Sequence, residues 1–300
     1  MLGNALIEGA TFIAILVGSV VGGLLGGSPG GLSYVAAGLV AFSGFGYAAA
    51  RFIPPAPTAD PDQSVTLNVI ADTLSLLREA REQPTIWSCI LGISWFWTFG
   101  AIVLALLPPL ARDVLGGTET LTSFFLAIFS VGIGVGSLIC ARSLRGEITP
   151  APVPFAAIAM SVVLVEFAAL VAVMPMSNAS NQSVAEALAS PRALLLMAVL
   201  FLLSTTSGFY ALPLYSILQH DAPADVKARM IGANNVGNAC MLVAGAVCLS
   251  VLSTGLGLSI PQVAVVLALA NLGSIGFIKR LVRRRGTSPR NLANELAGPS

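Results

Sequence analysis

Residues 121–141 read LTSFFLAIFSVGIGVGSLICA, and this stretch contains no charged side chain. An α-helix rises about 1.5 Å per residue, so the stretch is long enough to cross a hydrocarbon layer about 30 Å thick. The whole chain shares this character, because 56% of its 300 residues are hydrophobic and only 10% are charged. Soluble proteins carry about 25% charged residues. The sequence therefore predicts an all-α polytopic membrane protein.

Further apolar runs of similar length lie on both sides of this stretch, separated by polar residues or by Pro and Gly clusters. We expect the first run to be a mature helix and not a signal peptide, because no Lys or Arg precedes it and signals have apolar cores of only about 7–15 residues. About eight transmembrane helices are predicted, at residues 5–27, 32–53, 86–108, 121–141, 152–174, 193–217, 230–254 and 260–281.

The charged residues predict the orientation of the chain in the membrane and give no indication of a nucleic-acid partner. The net charge is +1, so nothing in the composition indicates a nucleic-acid partner. Thirteen of the fifteen Lys and Arg residues fall on one side of the predicted spans, which places both chain ends in the cytoplasm. No metal or other cofactor is predicted, because the four cysteines lie in apolar runs without ligand spacing: Cys89, Cys140, Cys240 and Cys248.

The chain divides at a proline-rich linker after the second span. Residues 54–85 contain Val65, Val69, Ile70, Leu74 and Leu77 at helical spacing, with charged residues on the opposite face. This pattern predicts an amphipathic helix on the cytoplasmic membrane surface, and a short solvated connector is the alternative. The expected units are 1–53 (two helices of a first bundle), 54–85 (linker), 86–281 (a six-helix bundle) and 282–300 (a basic cytoplasmic tail).

Two helices show an internal similarity. Asn4 and Glu8 in the first span align with Asn234 and Asn238 in the seventh, and each pair lies on one helix face. Transporters contain such repeats, so we expect these four residues to form a gate at the cytoplasmic end. Because one bundle would then hold two helices and the other six, we expect the chain to be a fragment of a longer protein or to have a misassigned start.

Small residues predict close helix packing in two spans. Gly18, Gly22 and Gly26 recur at intervals of four, as do Gly132 and Gly136. Such faces let helix backbones approach closely in lipid. A sliding contact between two halves and ordinary static packing are both consistent with the pattern.

The sixth span combines hydroxyl groups, glycine and a proline within its apolar run. Proline kinks a membrane helix and frees a carbonyl group, and kinked helices often line transport cavities. We therefore expect four residues to shape a cavity wall: Ser207, Gly208, Tyr210 and Pro213. Glu166 in the fifth span is expected to be a protonated structural acid that hydrogen-bonds to an adjacent helix.

A catalytic function is not supported by the sequence. His220 and Asp225 have the His-x4-Asp spacing of glycerolipid acyltransferases, in which a histidine base deprotonates a hydroxyl group. The match lies in a short loop, Pro223 interrupts it and no soluble domain surrounds it. We interpret the spacing as coincidental and the chain as a transporter.

Four stretches together resemble one family. They are residues 3–8 (GNALIE), 129–138 (FSVGIGVGSL), 208–214 (GFYALPL) and 229–235 (RMIGANN). Over about residues 1–281 the chain resembles the last eight of the twelve helices of the major facilitator superfamily, in its bacterial lysophospholipid transporter branch. The chain departs from the family pattern at residues 93–107, which contain no cation, and at Ala141, where an acid is common.

The resemblance implies that lysophospholipids are moved across the bacterial inner membrane by alternating access. Reacylation would then need a cytoplasmic acyltransferase, because relatives are fused to acyltransferase and acyl-carrier-protein ligase domains that this chain lacks. An amphiphilic substrate suits an apolar pathway with few polar groups. Three alternatives stay open: an exporter of drugs or other lipophiles, the membrane part of a bifunctional 2-acylglycerophosphoethanolamine acyltransferase and acyl-ACP synthetase, and an inactive fragment.

Overall fold

The computed structural model describes residues 28–54, 68–174 and 182–286, together with some positions between 10 and 25. That part of the chain is helical, with one isolated β-bridge between Gly117 and Gln182. The helices are α1 (Gly31–Ala50), α2 (Val69–Glu82), α3 (Pro84–Pro109), α4 (Glu119–Ser143), α5 (Pro152–Ala172), α6 (Val184–Ala189), α7 (Pro191–Asp221), α8 (Lys227–Ser250) and α9 (Ile260–Gly286).

Seven of the described helices are long and apolar enough to cross a membrane, namely α1, α3, α4, α5, α7, α8 and α9. They coincide with the second to eighth predicted spans to within a few residues, which confirms the all-α polytopic prediction. The first predicted span lies largely outside the described residues. Proline opens α3, α5 and α7, because a first-turn residue needs no N–H donor for the helix.

Two of the long helices, α3 and α8, end in the same way. Each continues into a π-helical turn, Leu110–Val114 after α3 and Val251–Gly255 after α8. The N–H of Leu256 closes the second turn by donating to the Val251 carbonyl at 2.8 Å. The chain then reverses at Gly116 and at Gly257, each with a φ of 65°, where a residue with a side chain would be strained.

The core lies between the helices of the 84–286 segment, with α7 at its centre. α7 packs against α3, α4 and α5, while α9 packs against α3 and α5. The largest fully buried side chains include Phe99 of α3, Phe125 of α4 and Phe167 of α5. In α1, by contrast, only Gly31 is buried, so its apolar surface is free to contact lipid or other helices.

The closest contact in the bundle is the seam between α4 and α7, where glycines of both helices meet. A Cβ atom added at Gly132 would lie 2.9 Å from the Phe201 carbonyl oxygen, and one at Gly208 would lie 2.6 Å from the Ser137 nitrogen. A Cβ at Gly136 would collide with the backbone of Thr205. Gly132 and Gly136 thus lie at a helix contact.

The glycines of the first span are arranged differently from the prediction. Cβ atoms built at Gly18 and Gly22 would have no neighbour within 4 Å among the described residues, and Gly26 lies outside them. Gly23 instead lies directly against the Ser123 hydroxyl of α4. One residue along a helix is a rotation of about 100°, so the contact face differs from the one that the four-residue spacing indicated.

The linker helix α2 docks on the bundle through one half of its apolar face. Ala80 is fully buried, and Leu76 and Leu77 pack against the core, whereas Val69 and Ile70 are 74% exposed. Glu79, one of the charged residues opposite the apolar face, pairs with Arg229 at the start of α8, with 2.7 Å between the carboxylate oxygen and Nε. Asn68 caps α2 by accepting from the Ala71 N–H at 3.0 Å. The predicted location on the membrane surface stays a prediction.

A prediction for the seam compares two glycines of α4. Gly136→Ala should destabilise the protein by about 1–3 kcal/mol, because the new methyl group meets backbone that has no room to move. Gly134→Ala should be neutral or stabilising by up to about 1 kcal/mol, because Gly134 faces open space and alanine favours helix. Thermal unfolding of both variants in detergent measures the difference, and equal midpoints would contradict the seam.

A second prediction concerns the clamp between Glu79 and Arg229. Such a partly exposed pair contributes about 0–1 kcal/mol, so Glu79→Gln should loosen α2 without unfolding the bundle. Trypsin should then cleave faster after Arg78 and Arg81. Glu82→Gln is the matched control, because Glu82 is exposed on the same helix. The exchange Glu79→Arg with Arg229→Glu should restore protection, and cleavage at the rate of the single variant would refute the clamp.

Candidate functional site

Two hydrogen-bonded pairs join α3 to its neighbours in the middle of the bundle. The Ser94 hydroxyl of α3 donates to Asn238 Oδ1 of α8 at 2.8 Å. The Trp97 indole Nε1 of α3 donates to the Tyr215 hydroxyl of α7 at 2.6 Å. Ser94 and Trp97 are one turn apart and lie about 15 and 20 Å along α3 from Pro84, which puts both pairs at mid-membrane depth.

The surroundings of these pairs explain why the polar groups are retained there. Ser94 is 1% exposed, whereas Trp97, Tyr215 and Asn238 are partly exposed. Buried hydroxyl and amide groups are costly in an apolar medium unless they are hydrogen-bonded. The pairs are therefore stable local structures, and their partly exposed members can also reach a ligand.

The four predicted gate residues are described only in part. Asn4 and Glu8 lie outside the described residues. Asn234 and Asn238 lie one turn apart on the face of α8 that packs against α3, where Gly237 lets Ile90 and Ser94 approach. Asn234 is 3% exposed, and its buried amide oxygen accepts no hydrogen bond. A buried acceptor without a donor is rare in native structures, so Asn234 is the unusual member of the set.

The structure buries the four predicted cavity-wall residues inside the bundle. Ser207 is 1% exposed and donates to the Leu203 carbonyl at 2.8 Å, and Gly208 belongs to the seam. Tyr210 is fully buried, with its hydroxyl next to Ser274 but without a well-formed hydrogen bond. Thus Ser207, Gly208 and Tyr210 contact neighbouring helices instead of facing open space.

Pro213 is also buried, and it has a structural consequence of its own. Proline has no N–H, so the carbonyl of Phe209, four residues earlier, lacks its helical donor. The Cys140 sulfur of α4 lies 4.0 Å from that carbonyl oxygen and donates to it weakly. Between residues 203 and 219 of α7, the partly exposed residues are Thr205, Thr206, Phe209, Tyr215 and Gln219.

A buried cluster around Asn271 was missed by the sequence analysis. The Asn271 oxygen accepts from the Trp95 Nε1 at 2.8 Å, and its nitrogen donates to the Ala157 carbonyl at 2.8 Å and to the Ser161 hydroxyl at 2.9 Å. Asn271 is fully buried and joins α9 to α3 and α5. The sequence could have indicated Asn271, because it is the sole amide side chain in the apolar run between Gln262 and Lys279.

Glu166 does not make the predicted interhelical hydrogen bond. It lies on the exposed face of α5, next to Val162 and Val165, which are 61% and 46% exposed. No described residue provides it with a hydrogen bond. Counting along α5, the carboxyl group is about 9 Å from the helix end at Ala172, close enough for the side chain to reach an interface.

The acyltransferase-like spacing has no catalytic geometry. His220 Nδ1 lies 2.9 Å from the carboxylate of the adjacent Asp221, while Asp225 is exposed. Among the described residues there is no group of three or more His, Cys, Asp or Glu side chains that could hold a metal ion.

Comparison with known protein families gives the decisive result, since residues 1–247 match the Major Facilitator Superfamily. The chain belongs to the Major Facilitator Superfamily. Membership of this family of membrane transporters agrees with the predicted all-α membrane protein and with the prediction of a transporter rather than an enzyme. The seven long apolar helices agree with this assignment.

Individual relatives support the predicted branch. The chain is 30% identical over 275 residues to the lysophospholipid transporter LplT of Citrobacter koseri, covering 87% of this chain and 60% of the relative. It is 30% identical to LplT of Escherichia coli O1:K1, covering 80% and 56%, and to LplT of Salmonella newport, covering 83% and 58%. The facilitator therefore spans about 60% of the length of these relatives. No solved structure matches it.

A prediction for the buried cluster follows from its complete hydrogen bonding. Asn271→Ala should lower the free energy of unfolding by about 1–2 kcal/mol, because it leaves the Trp95 N–H without an acceptor and removes the hydrogen bonds to the Ala157 carbonyl and the Ser161 hydroxyl. Asn235→Ala is the control, since Asn235 is exposed on α8. Thermal unfolding in detergent reports both, and an unchanged midpoint for Asn271→Ala would show that the cluster does not support the bundle.

Proposed function

We propose that the protein moves lysophospholipids across the bacterial inner membrane by alternating access. The proposal draws on the family assignment and on relatives that are named lysophospholipid transporters. Cytoplasmic chain ends, as the charge distribution predicts, suit delivery to a cytoplasmic acyltransferase that would reacylate the lipid.

The observation that carries the proposal is the mixture of polar and apolar surface along α3. The Ser94–Asn238 and Trp97–Tyr215 pairs are hydrogen-bonded polar groups between helices whose side chains are mostly apolar. A lysophospholipid has one polar headgroup and one acyl chain, so it needs a few hydrogen-bonding groups within a large apolar surface. A hydrophilic substrate would need many more polar groups than α3, α7 and α8 offer.

In this proposal, Asn4, Glu8, Asn234 and Asn238 form the gate toward the cytoplasm and contact the headgroup, with Asn238 at its inner end near mid-membrane depth. Support comes from the unpaired Asn234 oxygen, which is an acceptor suited to an ammonium or hydroxyl donor of a headgroup. Asn238 is held by Ser94, so its amide nitrogen stays available to donate to a phosphate oxygen. Glu8 would supply a negative charge for an ethanolamine ammonium group.

The packing of the bundle supports movement as a rigid unit. The α4–α7 seam joins two helices, the Asn271 cluster joins α9 to α3 and α5, and the Glu79–Arg229 clamp joins α2 to α8. The polar pairs then connect α3 to α7 and α8, so that all seven helices are tied together. In alternating access one bundle rocks against the other around the substrate. Ser207, Gly208, Tyr210 and Pro213 would then shape the pathway indirectly, by fixing the course of α7.

The test is uptake of radiolabelled lysophosphatidylethanolamine into vesicles that contain the protein. Asn238→Ala should reduce uptake about tenfold, which corresponds to about 1.4 kcal/mol of lost interaction. Asn235→Ala, on the exposed side of α8, should transport normally. Competition by an excess of unlabelled lysophospholipid, but not by a lipophilic drug, separates the proposal from drug export.

Two results would reject parts of this proposal. If wild-type vesicles accumulate no lysophospholipid while they exchange a drug, the substrate assignment is wrong. If uptake is normal in Asn238→Ala and in Glu8→Gln, the gate assignment is wrong although transport itself stands.

A further inference from the structure

A cavity lies between α3, α8 and α9, one helical turn along α3 and α8 from the Ser94–Asn238 pair. Its volume is about 220 Å³. Residues of all three helices and of the π-helical turn after α8 line it, among them Trp95, Ile102, Gly245, Cys248, Leu252 and Ala270.

The cavity has no polar group that is free to bind a ligand. The Thr98 hydroxyl at its wall donates to the Ser94 carbonyl at 2.9 Å, and the Trp95 N–H is taken by Asn271. A cavity holds water only where polar partners exist, and an apolar cavity of about 150 Å³ stays dry and binds benzene. A space of 220 Å³ with this lining therefore selects an apolar ligand.

The cavity is accessible from the membrane through a gap between α8 and α9. α8 packs along α3 and makes few contacts with α9, which it meets mainly at the π-helical turn. The lining residues of α9, from Val263 to Ala270, lie about 5–15 Å from the start of that helix. With the predicted orientation, this depth is that of acyl chains in the outer leaflet, from which the substrate would enter.

We propose that this cavity binds the acyl chain of the lysophospholipid while the polar pairs on α3 hold its headgroup. This inference rests on the proposed function, since the lysophospholipid is the ligand that it commits to. Trp95 forms a rigid wall, because Asn271 fixes its indole ring, and the small side chain of Ala270 leaves space that a larger one would fill.

The experiment uses a lysophosphatidylethanolamine that carries a photoreactive diazirine midway along its acyl chain. Irradiation of the wild-type protein in vesicles, followed by peptide mass spectrometry, should place the crosslinks on cavity residues such as Ile102 and Leu252. A diacyl phosphatidylcholine with the same diazirine is the second probe, and it should crosslink lipid-facing residues such as Val243 and Leu269 instead.

Variants test whether the cavity itself holds the chain. Ala270→Phe should lower the crosslinking yield at Ile102 and Leu252 about tenfold, because it displaces part of the acyl chain. Leu269→Phe is the matched control, since Leu269 is 62% exposed and does not line the cavity. Ala244→Phe fills the space from the α8 side and serves as a second variant if Ala270→Phe fails to fold.

Two outcomes would overturn the inference. One is crosslinking by the lysophospholipid at lipid-facing residues alone, or yields that the filling variants do not change. The other is equal labelling of the cavity by the diacyl probe, which would make it a site for bilayer lipid. Uptake of the lysophospholipid is measured in the same vesicles, so that the two proposals are tested separately. Transport without labelling of the cavity would reject the acyl-chain site but not the proposed function. Labelling of the cavity without transport would reject the proposed function.

Discussion

The backbone contact between α4 and α7 is the constraint on which the rest of the bundle depends. Glycine at positions 132, 136 and 208 brings the two helices so close that a single added methyl group would meet backbone atoms. In a membrane, lipid is as apolar as the helix surfaces, so helices associate through close packing and hydrogen bonds. With α7 at the centre of the bundle, this seam sets the positions at which α3 and α5 contact it.

Hydrogen bonds between polar side chains connect the remaining helices to the bundle. Asn271 connects α9 to α3 and α5, and Ser94 connects α3 to Asn238 of α8. Each group is satisfied by a partner on another helix, so the register between helices is specified as well as their proximity. The Phe209 carbonyl also has a partner on another helix. Pro213 supplies no N–H to it, and the Cys140 thiol of α4 donates to it weakly instead.

The two proposed substrate contacts follow from this scaffold. The polar pairs occupy the places where α3 meets α7 and α8, and the apolar cavity occupies the place where α8 separates from α9. Trp95 and Trp97 illustrate the division, since they are two residues apart on α3. Trp95 points to Asn271 and the cavity, whereas Trp97 points to Tyr215 of α7. The Ser94–Asn238 pair lies one helical turn from the cavity residues Thr98 and Met241, so headgroup and acyl chain would be bound at adjacent levels of α3 and α8.

The sequence alone determined the class of protein and the positions of its long helices. Hydrocarbon thickness fixes the length of an apolar run that can span, so composition and spacing predicted the seven described spans to within a few residues. The sequence also indicated the glycines of α4, because small residues spaced by four mark a face on which backbones approach. The polar pair of Asn234 and Asn238 was visible for the same reason, as a rare feature of an apolar run.

Which faces meet was decided only by the tertiary structure. Spacing placed Gly22 at a contact, but among the described residues Gly23 makes the contact, with Ser123. Hydroxyl groups and Pro213 suggested a cavity wall, but α7 lies at the centre of the bundle, where Ser207 and Pro213 are buried. Glu79 belongs to the charged face of the linker helix, and only the packing of α8 against this helix shows that it pairs with Arg229. Partners such as Ser94 and Asn238 are separated by more than a hundred residues in the chain. Helical periodicity gives the face of one helix, and only packing gives the neighbour that this face contacts.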